Sequence, residues 1–428
     1  MGKQFEVRLF IISWAFEPMN LPRSHQVTRL VKALDFDEVH VVCATTLADK
    51  PSVEALKNGV NIYRLPNVEF SRLRRRAGRL IPLLSRCPDP NVPWSESARK
   101  FIANTFKPSS EDCLITFGNP MSDHLAGLRL KTEYTLTWLA HFSDPWPYTM
   151  NASRLRFITR ANRRTFRTVC NNADLLIFTN ATSARLCTEN LPSSTRIKAR
   201  VLNHSFPTSA ELSLAPTLKN DLSGPPTLRY MGSLYGRRNA VTLSKALRKI
   251  QQSGQVLEMP FRVQLIGPKS KLVRLRLKLI CRRLRNIELL PEVSYEKSFS
   301  LMQTADALIS IDAASQENPF VSSKLVEYLP FAKPILGISP PGASQALLDR
   351  LGAYTADPTD QPGIESQLLA LVSEIYTRAG TSDRSLPYEQ ISEFEVANVV
   401  GVLMDLIQQV RSSEIKLSNQ QDFDGEGQ

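Results

Sequence analysis

Short apolar runs recur along the chain, separated by polar stretches long enough for a helix. The first covers residues 7–12. A turn-rich segment with Pro18, Asn20 and Pro22 follows, residues 24–34 repeat their apolar positions at helical spacing, and a β-branched run comes at 39–43. Alternation with a period of two marks a strand and a period of 3.6 a helix, so strand, loop, helix and strand within about forty residues describe a βαβ unit of parallel sheet. Further strands are predicted at 61–65, 113–116, 135–139 and 175–179, and together they make one doubly wound domain. The composition then shifts to Pro, Ser, Thr, Leu and Gly over about 207–227, including Pro216, Gly224, Pro225 and Pro226. Such a stretch reads as a linker.

After it the alternation restarts. Strands are predicted at 228–231, 261–266, 287–289, 307–311 and 334–338, with helices at 241–251, 272–284, 295–304 and 324–329. The pattern therefore predicts an α/β protein with two Rossmann-like domains, 1–210 and 227–390, joined by a linker at 211–226. An amphipathic helix at 391–411 is expected to return to the first domain, and the polar residues 412–428 to form a disordered tail. Two such domains facing each other enclose a central cleft.

The bulk numbers agree with that division. At 428 residues, 42% apolar and 22% charged, the chain has enough material for two buried cores. Its six cysteines are scattered with no CxxC spacing, as expected of buried reduced thiols. No signal-like start and no apolar run of about 18 to 20 residues is visible, and the expected compartment is the cytoplasm. The net charge of +12 changes the picture more. Arginine and lysine concentrate at 72–79, 154–167 and 271–285, either as solvated helix faces or as attractors of anionic partners. No RNP-like aromatic motif, zinc spacing or helix-turn-helix pattern accompanies them, which argues against nucleic acid as the partner.

Ligands of open parallel sheets bind outside the carboxyl ends of the strands, so the loops there carry the candidate chemistry. Met231-Gly232-Ser233-Leu234-Tyr235-Gly236-Arg237-Arg238-Asn239 follows a predicted strand and precedes a helix. Its glycines permit close backbone approach and its arginines offer forked donors to phosphate, although a plain glycine turn with two solvated arginines reads the same way. Asn318-Pro319-Phe320-Val321-Ser322-Ser323-Lys324-Leu325-Val326-Glu327-Tyr328-Leu329 supplies a helix start. There Ser323 is predicted as N-cap, Lys324 adds a charge, and Glu327 one turn on suits a ribose diol; a simple cap and a solvated glutamate are the alternative.

Taken together and in order, the two loops resemble those of the donor-binding domain of GT-B glycosyltransferases, in particular the retaining group 1 or family 4 enzymes. The match covers Gly232, Leu234 and Arg238, then Ser323, Lys324, Leu325, Glu327, Tyr328 and Leu329, with Lys333-Pro334-Ile335-Leu336 fitting the next strand. The resemblance implies a donor site of Gly232, Ser233, Arg237, Arg238, Ser322, Ser323, Lys324, Leu325 and Glu327. Two departures stand out. Ser233 occupies the usual arginine position and Arg238 the usual lysine position, and Pro319 stands where many members carry a sugar-binding glutamate. Asp312 and Glu317 are the nearby acidic substitutes. In the first half, Trp138-Leu139-Ala140-His141-Phe142-Ser143-Asp144-Pro145-Trp146 resembles the family's acceptor-side strand end, which implies His141 near the transferred sugar and Asp144 orienting it or binding acceptor hydroxyls. A core histidine and a capping aspartate are the plain alternative. The loop 13–26 contains no glycine, leaving Arg23, Ser24 and His25 as its polar candidates.

The implied activity is metal-independent transfer of a sugar from a UDP- or GDP-linked donor, which is a substrate and not a cofactor, in polysaccharide or glycoconjugate synthesis. The acceptor would be a glycan, a lipid-linked or a small molecule, with an anionic membrane surface on the inner face as a further partner for the basic segments 72–79 and 154–167. An epimerase or hydrolase on the same fold, and a nucleotide-sugar-binding regulator without catalysis, are the alternatives.

Overall fold

The computed structural model describes residues 7–45, 52–56, 59–68, 87–146, 156–218, 224–267, 270–377 and 388–425, with backbone only at 257, 388 and 413–425. The chain divides into two compact units, Met1–Asn203 with Ala397–Gln428, and His204–Val396.

The first unit is built on an eight-stranded sheet of order β3-β4-β2-β1-β5-β6-β7-β8. Its strands are β1 (Arg8–Ile12), β2 (Glu38–Ala44), β3 (Ser52–Ala55), β4 (Val60–Leu65), β5 (Cys113–Gly118), β6 (Thr137–Phe142), β7 (Leu175–Phe178) and β8 (Ala199–Val201). All neighbours are parallel except β3, which runs antiparallel on β4. Parallel strands need crossover helices on both faces, which is why β5 and β6 are buried at every position instead of alternating. Phe10, Ile12, Leu114, Trp138, Phe142 and Phe178 pack on one face against Trp94, Ala98 and Ile102 of helix Val92–Phe106, and against Phe166 of helix Arg156–Asn172.

The second unit carries a six-stranded, wholly parallel sheet of order β11-β10-β9-β12-β13-β14. Its strands are β9 (Thr227–Met231), β10 (Arg262–Ile266), β11 (Ile287–Leu290), β12 (Ala307–Ile311), β13 (Ile335–Ile338) and β14 (Tyr354–Ala356). Alternate residues serve opposite faces. Leu228, Tyr230, Val263, Leu265, Ala307 and Ile309 join one core, while Met231, Ile266, Leu308 and Ile335 join the other.

Several boundaries differ from expectation. The edge strands β3, β8 and β14 were not foreseen, because none has an apolar run: β3 is exposed throughout and β14 is half-buried. The stretch expected to be a linker is partly pinned to the second unit. Thr208 and Glu211 close a capping box over helix Ser209–Ser213, and the Ser300 hydroxyl donates to the Pro216 carbonyl; residues 219–223 lie outside the described residues. The last helix, Val396–Gly425, belongs from Ala397 on with the first unit, where Arg411 lies 3.9 Å from Glu111. Its backbone continues through the polar stretch expected to be disordered, whose glutamate, lysine and glutamines are good helix formers. All six cysteines are free; Cys43, Cys113, Cys170 and Cys187 are buried, but Cys87 and Cys281 are only half-buried. Among the described residues no helix is long and apolar enough to cross a membrane.

Candidate functional site

In the second unit the strand order reverses between β9 and β12, the place where open parallel sheets receive ligands at the carboxyl ends of their strands. Gly232 follows β9 with φ +154°, and its N–H donates to the Ile266 carbonyl at 2.9 Å. Gly267, at φ +128°, ends β10 so close that a Cβ on it would come within 2.4 Å of the Gly232 oxygen. Only glycine fits that contact. The rest of the loop is fixed from inside by Leu234, 0% exposed, and by the Tyr230 hydroxyl donating to the Ser233 carbonyl at 3.0 Å. Burial pushes the Tyr230 phenol up, so it stays a neutral donor. The Tyr235 N–H donates to the Arg238 carbonyl at 2.9 Å and closes the turn.

That turn gives the two arginines different surroundings. Arg237 is exposed, with no ion pair among the described residues. Arg238 reaches across the switch point to Asp312, 3.6 Å away at the end of β12. Asp312 is 2% exposed, and its Oδ2 accepts from the Asn318 amide at 3.0 Å and the Ser339 hydroxyl at 2.9 Å. Its Oδ1 and the buried Arg238 Nε have no hydrogen-bond partner. A separation of 3.6 Å is well beyond the 2.7–2.9 Å of a formed charge-assisted bond. Arg238 is thus held by charge while keeping donors available to another anion.

The second loop is clamped from the side. Asn318 N–H donates to the Pro341 carbonyl at 2.7 Å, and Ala343 N–H donates to the Asn318 carbonyl at 2.8 Å. Gly342, at φ +136°, permits this, because a Cβ there would lie 2.2 Å from the Asn318 oxygen. Helix Ser323–Tyr328 begins just beyond, and the expected N-cap is corrected by one residue. Ser322 occupies the cap, without a side-chain capping bond, and Ser323 is the first helical residue, since the chain is still extended at Ser322. Lys324 Nζ donates to Glu327 Oε2 at 2.9 Å and sits 5.5 Å from the Tyr295 ring centroid, while the Tyr295 hydroxyl donates to Glu327 Oε1 at 3.2 Å. Glu327 is 1% exposed, a buried carboxylate compensated by one cation and one hydroxyl. The Tyr328 hydroxyl accepts from Met231 N–H at 3.0 Å and lies 3.2 Å from the Ile309 carbonyl, tying the helix to the ends of β9 and β12. Leu325 is buried in the adjacent core, and Glu317 is half-buried before Asn318.

The first unit reverses its order between β1 and β5, and a second polar group gathers at that point. Arg23 Nη2 donates to the Gly118 carbonyl at the end of β5, 2.9 Å away. Asp123, 0% exposed at the start of helix Asp123–Tyr134, accepts the Trp14 N–H at 2.8 Å. His124 Nδ1 lies 2.7 Å from the Thr116 hydroxyl. Burial pulls the Arg23 guanidinium down to about 10, leaving it charged at neutral pH, and holds Asp123 well above the usual carboxylate range. Burial, helped by the Arg23 charge, takes the His124 imidazole down to about 3. Arg23 Nε, Ser24 Oγ, Ser122 Oγ, Asp123 Oδ1 and His124 Nε2 are all buried without a hydrogen-bond partner.

His141 does not lie in a loop. Strand β6 runs on to Phe142, so His141 is a strand residue, 4% exposed, with its ring 4.9 Å from that of Phe117. The loop starts at Ser143, and Asp144 in it accepts from the Asn119 amide at 3.3 Å. His25 is apart from this group, its Nε2 3.0 Å from the Asn20 side chain. Asp123, His124 and Asn119 were missed by sequence reading. The Gly118-Asn119-Pro120 sequence directly after a strand was the available signal. The basic segment 72–79 lies outside the described residues, and of the segment 154–167 residues 156–167 are described, on helix Arg156–Asn172. A cavity of about 900 Å³ lined by Asp174, Lys198, Arg200 and Asp405 is at the amino ends of β7 and β8, the opposite sheet edge from the first unit's polar group.

No family model matches the chain, and no curated protein matches it. Solved structures do. Sucrose-phosphate synthase from Thermosynechococcus elongatus superposes with TM-score 0.69 at 14% identity, covering 95% of this chain and 100% of that one. The UDP-forming trehalose-phosphate synthase of Burkholderia xenovorans, in complex with glucose-6-phosphate, gives TM-score 0.65 at 15% identity, with 93% and 99% covered. The chain has the GT-B fold. An E. coli trehalose-6-phosphate structure bound with UDP-2-fluoro glucose gives TM-score 0.61 at 14% identity, with 96% and 98% covered. At these identities the GT-B likeness concerns the fold and leaves the site chemistry to the residues above.

Proposed function

We propose that this GT-B protein is a glycosyltransferase that binds a nucleoside-diphosphate sugar at the β9/β12 switch point and transfers the sugar to an acceptor hydroxyl. The observation that carries the proposal is the incomplete Arg238–Asp312 pair: a buried-side guanidinium 3.6 Å from its carboxylate, with Nε unused, at the place where a parallel sheet receives its ligand. In the transfer the acceptor oxygen forms a bond to the anomeric carbon while the bond from that carbon to the diphosphate oxygen breaks. The nucleoside diphosphate leaves with the electron pair, and the proton released from the acceptor hydroxyl passes to the departing phosphate oxygen. Arg238, Arg237 and Lys324 are the cations that meet the charge developing there, with Gly232 and Ser233 providing close backbone approach and Ser322 and Ser323 the helix-start amides. Leu325 anchors that helix. Glu327, rigidly held by Lys324 and Tyr295, is suited to accept from a ribose diol.

The donor base favoured is uracil, supported by the UDP-forming neighbour and the one bound with UDP-2-fluoro glucose. The acceptor belongs to the first unit, where His141, Asp144 and Arg23 lie at the carboxyl ends of β6 and the β1/β5 switch point. Ser24 and His25 follow Arg23 in the chain as further acceptor candidates, and Asp312 and Glu317 remain the acidic candidates for the donor sugar's hydroxyls. Retention of configuration and independence of metal belong to the same proposal.

Calorimetry with UDP, GDP and ADP tests it. Saturable binding of one of them, weakened by Arg238→Ala, is expected. Absence of heat with all three would refute the donor site.

A further inference from the structure

Helix Lys271–Cys281 presents two apolar faces. Val273 and Leu277 are buried in the second unit's core and pin the helix to it. On the opposite face Leu272, Leu275 and Leu279 are 81%, 58% and 65% exposed. Their spacing of three and four residues puts them in one straight stripe. At 100° per residue, Arg276 borders that stripe on one side and Lys271 and Lys278 on the other. Arg282, Arg283 and Arg285 follow directly, and residues 271–285 contain no acidic side chain. None of these cations forms an ion pair among the described residues.

We infer that this helix docks the protein on an anionic lipid bilayer, its leucine stripe entering the headgroup–acyl boundary while the flanking cations meet lipid phosphates. A leucine row exposed between unneutralised cations is the pattern of an interfacial helix lying in the membrane plane. A protein partner is less well suited. The stripe offers the apolar surface of about two leucine side chains, on a helix about 16 Å long, against the ~800 Å² per partner of a specific interface. A nucleic acid would use the cations and leave the leucines in water. Helix Arg156–Asn172 provides the contrast: its arginines 156, 160, 163, 164 and 167 share a polar face beside one exposed apolar residue, Phe157. That face attracts anions without the means to enter a bilayer. The inference is independent of the transfer reaction.

Vesicle flotation decides it, using phosphatidylcholine alone and with about 30 mol% phosphatidylglycerol, at about 50 and 300 mM salt. Wild type should float with the anionic vesicles at low salt and be largely released at high salt. The triple variant Leu272→Ser, Leu275→Ser, Leu279→Ser should partition at least about tenfold less, with unchanged thermal melting, since all three side chains are exposed. Lys271→Gln with Arg276→Gln and Lys278→Gln should lose the preference for anionic vesicles. In Leu275→Trp the emission should shift to the blue on anionic vesicles. Wild type failing to float, the serine variant floating like wild type as simple polyanion binding would give, or an unshifted tryptophan each overturns the inference.

Discussion

Both sheets reverse their strand order beside the first strand of their unit, β1/β5 in one and β9/β12 in the other, and each gathers an arginine and an aspartate at that point. The resemblance ends with topology. In the second unit Arg238 and Asp312 face each other across the switch point with Arg238 half-buried and its Nε unspent. In the first, Arg23, Asp123 and His124 share a desolvated group in which burial shifts each ionisation toward the neutral form. Order of strands therefore decides where a ligand can enter, and the solvation of the side chains decides what happens there. One switch point is the proposed receptor for an anion; the other is a polar network that costs stability and has unspent donors and acceptors to offer.

Breaking the second site at its most buried charged member should have the largest effect. Glu327→Ala is expected to lower donor turnover by about a hundredfold or more, and to lower the melting temperature by leaving Lys324 without its carboxylate; steady-state kinetics and calorimetric melting measure the two effects. Next, Arg238→Ala should weaken UDP binding by about 10- to 100-fold, the usual size of a charge-assisted contact, while Arg23→Ala leaves it within about twofold. Equal losses from both arginines would erase the distinction between the two switch points. Arg23→Ala should instead raise the KM for the acceptor by about tenfold at constant UDP affinity, read from initial rates.

The His124 imidazole sharpens the contrast through pH. Its folded value of about 3 lies below the ordinary 6.5, so its contribution is whole above pH 6.5 and is lost as pH falls toward 3, by up to about 1.4 kcal/mol per pH unit. Asp123 has the opposite sign: held above its ordinary value, it disfavours the fold when ionised, and that cost is relieved as pH falls through its folded value. Melting curves from pH 7 to 4 should therefore show a shallower acid loss for His124→Asn than for wild type, and parallel curves would remove His124 from the network. The smallest effect is expected from Arg237→Ala, about threefold or less on UDP affinity, because its solvated charge is screened.

Much of the fold was legible in the chain. Strands β9, β10 and β12 stand within one residue of their predicted bounds, because each concentrates apolar residues in a short run and a parallel strand must be followed by a crossover, here a helix. The edge strands were illegible for the converse reason, as β3 buries nothing. The loop 231–239 and the run from Ser322 to Leu329 were readable as a glycine turn and a helix start because both leave local signatures. His141 was read one element too late, since an apolar run gives no sign of where a strand stops pairing.

The sequence alone determined that there are parallel α/β layers, which segments cross between strands, that Gly232 and Arg238 lie in a loop after a strand, and that Lys324 lies in the first turn of a helix with Glu327 one turn on. Only the tertiary structure decided which of two adjacent arginines faces a carboxylate, that Glu327 is enclosed by Lys324 and Tyr295, and that Asp123 and His124 share a buried group with Arg23. The physical reason is range. Periodicity and turn chemistry act over a few neighbouring residues, whereas solvation and charge pairing depend on side chains that are distant in the chain and meet only when the sheet is assembled.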